Sequence, residues 1–302
     1  MIIEETYILS NGVEIPKLGL GTWFIDDGNA SHVVREAVKV GYRHIDTAQA
    51  YKNESGVGDG VRSCGVIRQD MFVTTKLAAE IKTYKKAAAA IDGSLKRLGL
   101  DYIDMMIIHS PQPWTKFRGD DHFFEGNREA WRALEDAYKA GKLRAIGVSN
   151  FEQPDIENIL SSCTVTPMVN QVLAHVGNTP FGLIQYTQSK GILVEAYSPI
   201  AHGVVLGNQE IMAIATKYDV SVPQLCIRYD LQLGLLPLPK TSDPEHMKSN
   251  IRVDFTISDE DMELLKNAPQ IKDYGDAGIM PVFGGKLNLK SAVSYVFKQR
   301  RN

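Results

Sequence analysis

The sequence predicts a single-domain α/β fold, a (β/α)8 (TIM) barrel over residues 1–302, with an N-terminal β-hairpin over 1–16 and long rim loops. Three observations predict it. Short apolar runs of the buried-strand kind recur along the chain. Amphipathic segments of helical period lie between them, and each run gives way at its C-terminal end to a polar or titratable residue. No Pro/Ser-rich linker or break in composition divides the chain, and α/β barrels of this length are commonly one domain.

The hairpin is read from Tyr7-Ile8-Leu9 and Val13-Glu14-Ile15, which flank Ser10-Asn11-Gly12 and so place an Asn-Gly turn between two strands. The apolar runs follow at 18–21, 44–46, 71–75, 102–108, 145–148, 168–169, 193–196 and 235–238. Ser31 is placed to cap a helix presenting Val34, Ala37 and Val38 on one face. Helical spacing runs over 84–98, stopped by Gly99, and over 128–140, stopped by Gly141. Two stretches exceed ordinary connections: 110–126, expected to be a substrate loop, and the tail over 267–302.

Composition removes several classes of function. The net charge of -3 leaves no basic footprint for nucleic acid, and the one basic cluster, Lys298-Gln299-Arg300-Arg301, reads as an exposed tail. No apolar run is long enough to span a membrane, and residues 1–10 carry Glu4 and Glu5 where a signal peptide would be basic and then apolar. Cys64, Cys163 and Cys226 are far apart and odd in number, so neither a disulfide frame nor a zinc site is expected. No metal is expected elsewhere, since His122 and His202 lack ligand spacing and read as loop residues. A reducing, cytoplasmic setting follows.

The strand ends carry the chemistry. Thr22 follows the first run, Asp46 ends the second with Tyr51 just beyond, and Lys76 and His109 end the third and fourth. Ser149 and Asn150, Gln171, Tyr197 and Lys240 end the remaining four. In a barrel these ends converge on one face, where active sites form. Taken singly, Asp46 reads as a turn or cap residue, Tyr51 as a surface aromatic and His109 equally as a satisfied core histidine or a catalytic one. Lys76 is unusual alone, because a lysine seldom ends a buried strand unless paired. Taken together they make a general acid. A tyrosine ordinarily titrates near pH 10, and an adjacent ammonium favours its phenolate. A carboxylate holds the ammonium, and a histidine beside the tyrosine orients a carbonyl oxygen that becomes an alkoxide as hydride arrives.

These residues sit in motifs that resemble the aldo-keto reductase family along essentially the whole chain. The matching segments are Gly19-Leu20-Gly21-Thr22-Trp23, Gly41-Tyr42-Arg43-His44-Ile45-Asp46-Thr47-Ala48, Tyr51 with Asn53-Glu54, and Lys76-Leu77. They continue through Leu98-Gly99-Leu100-Asp101-Tyr102-Ile103-Asp104, the run from Gly141 to Phe151, Asn170-Gln171, Tyr197-Ser198-Pro199 and Pro239-Lys240-Thr241. The resemblance implies reversible, NAD(P)H-dependent reduction of aldehydes and ketones, with Asp46, Tyr51, Lys76 and His109 as the catalytic tetrad and Tyr51 as general acid. It implies that Ser149, Asn150 and Gln171 hold the nicotinamide carboxamide, that Tyr197 stacks on the ring, and that Ser198, Ile200 and Gly203 run past the pyrophosphate. Thr22 and Trp23 would line the first loop, and Lys240, Thr241, Ser242, His246 and Asn250 the phosphate and adenine. The family binds its dinucleotide without a Rossmann domain, and no G-x-G-x-x-G follows an early strand here.

Departures narrow this reading. His246 stands where the family usually has an arginine on the 2′-phosphate, and a neutral imidazole does not replace a guanidinium fork; Asp243 adds negative charge nearby. NADP(H) is favoured, with NAD(H) or dual use open. Ser110 and Ala78 replace two tryptophans usual in the family and are expected to widen a substrate pocket walled by Trp23 and Trp114. Phe117, Phe123, Phe124, Tyr274 and Phe283 are further candidates for filling it. The expected partner is a small carbonyl or alcohol, the expected state a monomer.

Three other functions compete with this reading. Tyr186 and Lys190 form the Y-x-x-x-K pair of a short-chain dehydrogenase, but the glycine-rich turn of that class is missing and the stretch reads as a solvated helix face. A hydrolase would need the second glycine of G-x-S-x-G, which Gly147-Val148-Ser149-Asn150-Phe151 lacks. A slow cofactor-binding redox sensor or scaffold on the same barrel is the alternative that the tetrad argues against most weakly.

Overall fold

A computed structural model of the chain describes residues 1–286. It opens on an antiparallel hairpin, β1 (Thr6–Ile8) and β2 (Glu14–Pro16). The turn is not a two-residue one: Gly12 N–H donates to Leu9 O at 2.8 Å, Leu9 N–H donates to Val13 O at 2.9 Å, and Gly12 lies at φ 84°. This three-residue turn places glycine, not Asn11, in the left-handed region.

Eight parallel strands follow: β3 (Leu20–Gly21), β4 (His44–Asp46), β5 (Phe72–Leu77), β6 (Ile103–Ile108), β7 (Leu143–Ser149), β8 (Val169–Leu173), β9 (Leu193–Tyr197) and β10 (Leu236–Leu238). They hydrogen-bond in sequence order from β3 to β10, and a parallel bridge from Gly21 to Lys240 brings the two ends together. Gly19 N–H and Gly21 N–H donate to Pro237 O and Pro239 O across this closure. Gly19 must be glycine here, because a Cβ would fall 2.6 Å from the His44 ring and 2.6 Å from Leu238. All six residues of β5 and all six of β6 are buried, as expected of a sheet covered on both faces.

The outer layer is α1 (Asp27–Val40), α2 (Glu54–Ser63), α3 (Tyr84–Leu98), α4 (Phe124–Lys139), α5 (Gln153–Leu160), α6 (Phe181–Ser189), α7 (Gln209–Lys217), α8 (Val222–Gln232), α9 (Pro244–Asn250) and α10 (Asp259–Lys266). The fold is the expected one, with two helix starts corrected. The first helix is capped by Asp26, whose side chain accepts from Asn29 N–H, while Ser31 lies inside it and accepts from Arg35. The fourth begins at Phe124, one turn before the expected 128, so the preceding loop is shorter than read. Helix α3 ends at Gly99 in the left-handed conformation, as its sequence indicates.

The tail is ordered by contacts over 267–286, with short turns at Gly275–Ile279 and Pro281–Phe283. The Tyr274 hydroxyl meets His175 Nε2 at 2.9 Å and accepts from Asn178 Nδ2 at 2.9 Å. The rest of the expected tail segment, 287–302 with its basic cluster, lies outside the described residues.

Candidate active site

Strand register sets the layout. Asp46 aligns with Gly21 and Thr74, while Ser149, Gln171 and Glu195 align across β7, β8 and β9. In-register residues on neighbouring strands point to the same side, so the strand ends meet at one mouth of the barrel. There they line a cavity of about 480 Å³ that holds Trp23, Asp46, Tyr51, His109, Trp114, Ser149, Asn150, Gln171, Tyr197, Ser198, Ile200, Gly203 and Lys240.

Four side chains form a connected group at its floor. Lys76 is 1% exposed. Its ammonium donates to Asp46 Oδ1, to Thr47 O at 3.0 Å and to the Tyr51 hydroxyl at 3.3 Å. A buried lysine stays charged only with such partners. Burial alone would lower Lys76, but the charges and hydrogen bonds of Asp46 and Tyr51 hold it above its ordinary value. Burial pushes Tyr51 up, and the Lys76 charge opposes that rise. The His109 ring stands edge-on to Tyr51 at 5.7 Å. Burial first and the Lys76 charge second hold His109 well below its ordinary value, so it is a neutral imidazole. Its Nδ1 is buried without a hydrogen-bond partner among the described residues.

The neighbouring wall is a set of amides and hydroxyls. Asn150, at φ 61°, is saturated: its Nδ2 donates to His109 O and Ser149 Oγ, and its Oδ1 accepts from the Tyr197 hydroxyl at 2.7 Å. Gln171 Nε2 donates to Asp46 Oδ2 at 2.9 Å and to Glu195 Oε2 at 2.7 Å. Among the described residues no acceptor meets the Ser149 hydroxyl hydrogen and no donor meets the Gln171 side-chain oxygen. The cavity is therefore offered one donor and one acceptor side by side.

Not every expected site residue reaches the cavity. Thr22 is buried and donates to Asp46 O, holding the first loop to β4. Ala78 and Ser110 do not line it: the Ala78 amide donates to Gln49 Oε1, and Ser110 is fully buried with its carbonyl accepting from Lys82 Nζ. Trp114 does, standing edge-on to His109 at 5.0 Å. Phe117 packs on Trp114, and Phe124 stacks on His122 outside the cavity. His122 pairs with Asp155, and no cluster of three or more possible metal ligands occurs among the described residues. Thr241 and Ser242 lie beyond the cavity on the β10–α9 connection, and His246 and Asn250 on α9 itself. His246 is exposed and 4.0 Å from Asp243. Asn250 is buried beside Tyr42.

Contributors that escaped the sequence reading as wall residues include Phe24, Ala50, His202, Met280, Pro281 and Val282. His202 stands edge-on to Trp23 at 5.5 Å and to Phe283 at 4.7 Å, so the tail joins the mouth through an aromatic cluster. The Tyr186–Lys190 pair lies on the outer helix layer, with Tyr186 donating to Glu157 and Lys190 over its ring.

A parallel barrel with a buried Asp-Lys-Tyr group and a histidine at its mouth defines an oxidoreductase architecture, and comparison with known proteins agrees. The sequence model of the Aldo/keto reductase family matches residues 17–269. A glyoxal reductase of Bacillus subtilis is 43% identical over 263 residues, covering 86% of this chain and 91% of that protein. An aldehyde reductase of Saccharomyces cerevisiae is 36% identical, covering 89% and 92%. Among solved structures, an aldo/keto reductase from Brucella melitensis matches with a TM-score of 0.81 at 37% identity, covering 88% and 98%. A Bombyx mori aldo-keto reductase solved in complex with NADP matches at 0.82 and 32% identity, covering 91% and 95%. The chain belongs to the aldo-keto reductase family and is an oxidoreductase acting on carbonyl compounds. No helix among the described residues is long and apolar enough to cross a membrane.

Proposed function

We propose that this enzyme reduces small aldehydes and ketones to alcohols, reversibly, with Tyr51 as proton donor and a nicotinamide dinucleotide as hydride source. The observation that carries the reading is the Asp46–Lys76–Tyr51 chain of hydrogen bonds opening on the cavity beside a neutral His109.

The residues present fit a nicotinamide. The free Ser149 hydroxyl hydrogen and Gln171 oxygen match the carbonyl and amine of a carboxamide, and the Tyr197 ring offers an aromatic face. Lys240, whose ammonium takes no hydrogen bond among the described residues, supplies a cation for the phosphates. Asn150 acts indirectly, holding Ser149 and Tyr197 in place. Trp23, Ser198, Ile200 and Gly203 border the same cavity, while Thr241, Ser242, His246 and Asn250 continue the path beyond it. When bound, the nicotinamide supplies the hydride. The protein's part is proton delivery and orientation. Neutral His109 hydrogen-bonds the carbonyl oxygen and aims it at Tyr51, whose hydroxyl gives up its proton as negative charge grows there. Lys76 stabilises the phenolate left behind, and Asp46 keeps Lys76 charged and fixed. In the oxidation direction the same phenolate is the base.

The 2′-phosphate of NADP(H) remains the favoured recognition element, weakened by an exposed His246 next to Asp243. Parallel titrations with NADPH and NADH, then turnover of a carbonyl panel with the tighter one, test the reading. Saturable binding with steady cofactor oxidation is expected, and His246→Arg should raise the NADPH over NADH preference about tenfold. Tight binding with no turnover of any carbonyl would instead favour a redox sensor or scaffold.

A further inference from the structure

A carboxyl group sits one layer beneath the proposed site with no role in the chemistry above. Glu195 is 0% exposed on β9, in register with Gln171. Its Oε2 accepts from Gln171 Nε2 at 2.7 Å, and its Oε1 has no partner among the described residues. Burying an acid there is costly, so the position asks for a reason.

The reason lies in the geometry of Gln171. A glutamine amide has two N–H donors at one end and an acceptor at the other, and either end can face a ligand. Here Asp46 Oδ2 takes one hydrogen at 2.9 Å and Glu195 Oε2 takes the other. In this arrangement both neighbours present acceptors, so the reversed amide would set its oxygen against the Asp46 carboxylate and lose both hydrogen bonds unless Glu195 also turned its own proton inward. We propose that Glu195 is a positioning residue that locks the Gln171 amide with its oxygen toward the cavity, making the site selective for a ligand that brings an N–H donor, the amine of a carboxamide. This inference rests on the nicotinamide reading of the cavity.

The state of Glu195 is consistent with that role. Burial, and next the Asp46 charge, push it up to about 8, so at neutral pH it is a neutral acid whose carbonyl oxygen accepts from Gln171. No second negative charge then competes with Asp46 for Lys76.

The test compares cofactors with and without the amine. The probes are NADPH and its 3-acetylpyridine analogue, in which a methyl group replaces the carboxamide nitrogen, with binding read from quenching of Trp23 and Trp114 fluorescence. The intact enzyme should favour NADPH about fivefold to tenfold, the span of one hydrogen bond. Glu195→Met, similar in length but without a strong acceptor, should lower that ratio by about twofold or more, Asp46 alone then holding the amide. Glu195→Gln, whose side-chain oxygen accepts the same hydrogen, should keep it within about twofold. General weakening of the site would lower both affinities and leave the ratio unchanged. A ratio of one in the intact enzyme would overturn the carboxamide reading itself. A ratio kept in Glu195→Met would overturn only the role of Glu195. Should that variant not fold, hydrogen exchange of the Gln171 side-chain amide in the intact enzyme decides. Both hydrogens should be protected, and exchange of either at the rate of an exposed glutamine contradicts the lock.

Discussion

The Lys76 ammonium stands 3.3 Å from the Tyr51 hydroxyl, is almost wholly buried, and is held there by Asp46. Water screens a buried charge weakly, which gives this contact more effect on Tyr51 than the same distance would have at the surface. Since burial otherwise drives Tyr51 up, the proposed role of its hydroxyl as an acid depends on Lys76.

Lys76→Met should therefore lower kcat by ~10²-fold or more, the scale of general acid–base catalysis. It should also destabilise the fold by roughly 3–5 kcal/mol, because Asp46 is left buried without its cation. Adding Asp46→Asn should recover part of the melting temperature and none of the activity. Recovery of activity in the double variant would show that the lysine acts on folding alone.

Trp114 borders the cavity edge-on to His109, on the side proposed for the substrate. Trp114→Ala should raise KM for an aromatic aldehyde about tenfold, with kcat changed less than threefold and cofactor affinity unchanged, as for removal of contact made equally in ground and transition states. A fall in kcat with constant KM would place Trp114 in the chemical step.

Much of the fold and part of the site were legible before the structure. The eight apolar runs are all strands, because a parallel sheet buried on both faces leaves an uninterrupted apolar signature. Asp46, Lys76 and His109 stand out as a set on consecutive strand ends, since each of Asp46 and His109 alone has an ordinary structural reading. Helix starts were less legible: the polar first turn after Asp26 and the loop-like Phe123-Phe124 conceal where hydrogen bonding begins. Ala78 and Ser110 are expected at the pocket through the family resemblance, and what excludes them is tertiary, the Gln49 and Lys82 contacts made across the rim. Met280 and Val282 reach the mouth from the far end of the chain, with no periodic signal to announce it. Glu195 did carry a signal, a lone acid between Val194 and Ala196 in a buried run, whose meaning needed the register of β8 against β9.

The buried acid has a consequence for stability. Glu195 is raised from the ordinary 4.5 to about 8, so the folded protein keeps a proton that the unfolded chain releases. Its contribution is full below about 4.5 and is lost as pH rises through about 8. Glu195→Gln does not titrate. Its melting temperature relative to the parent protein should therefore climb between pH 5 and pH 8. A difference that is flat with pH, or that falls, would mean Glu195 is ionised in the folded state.

The central claim is that Tyr51 gives the proton. Tyr51→Phe removes one oxygen and leaves the ring between Lys76 and His109. With NADPH and an aldehyde reduced by the parent enzyme, single-turnover cofactor oxidation should slow by ~10²–10⁴-fold, while the dissociation constant for NADPH stays within about twofold. Reduction at close to the parent rate, with unchanged cofactor binding, would contradict the account and require another donor in the cavity.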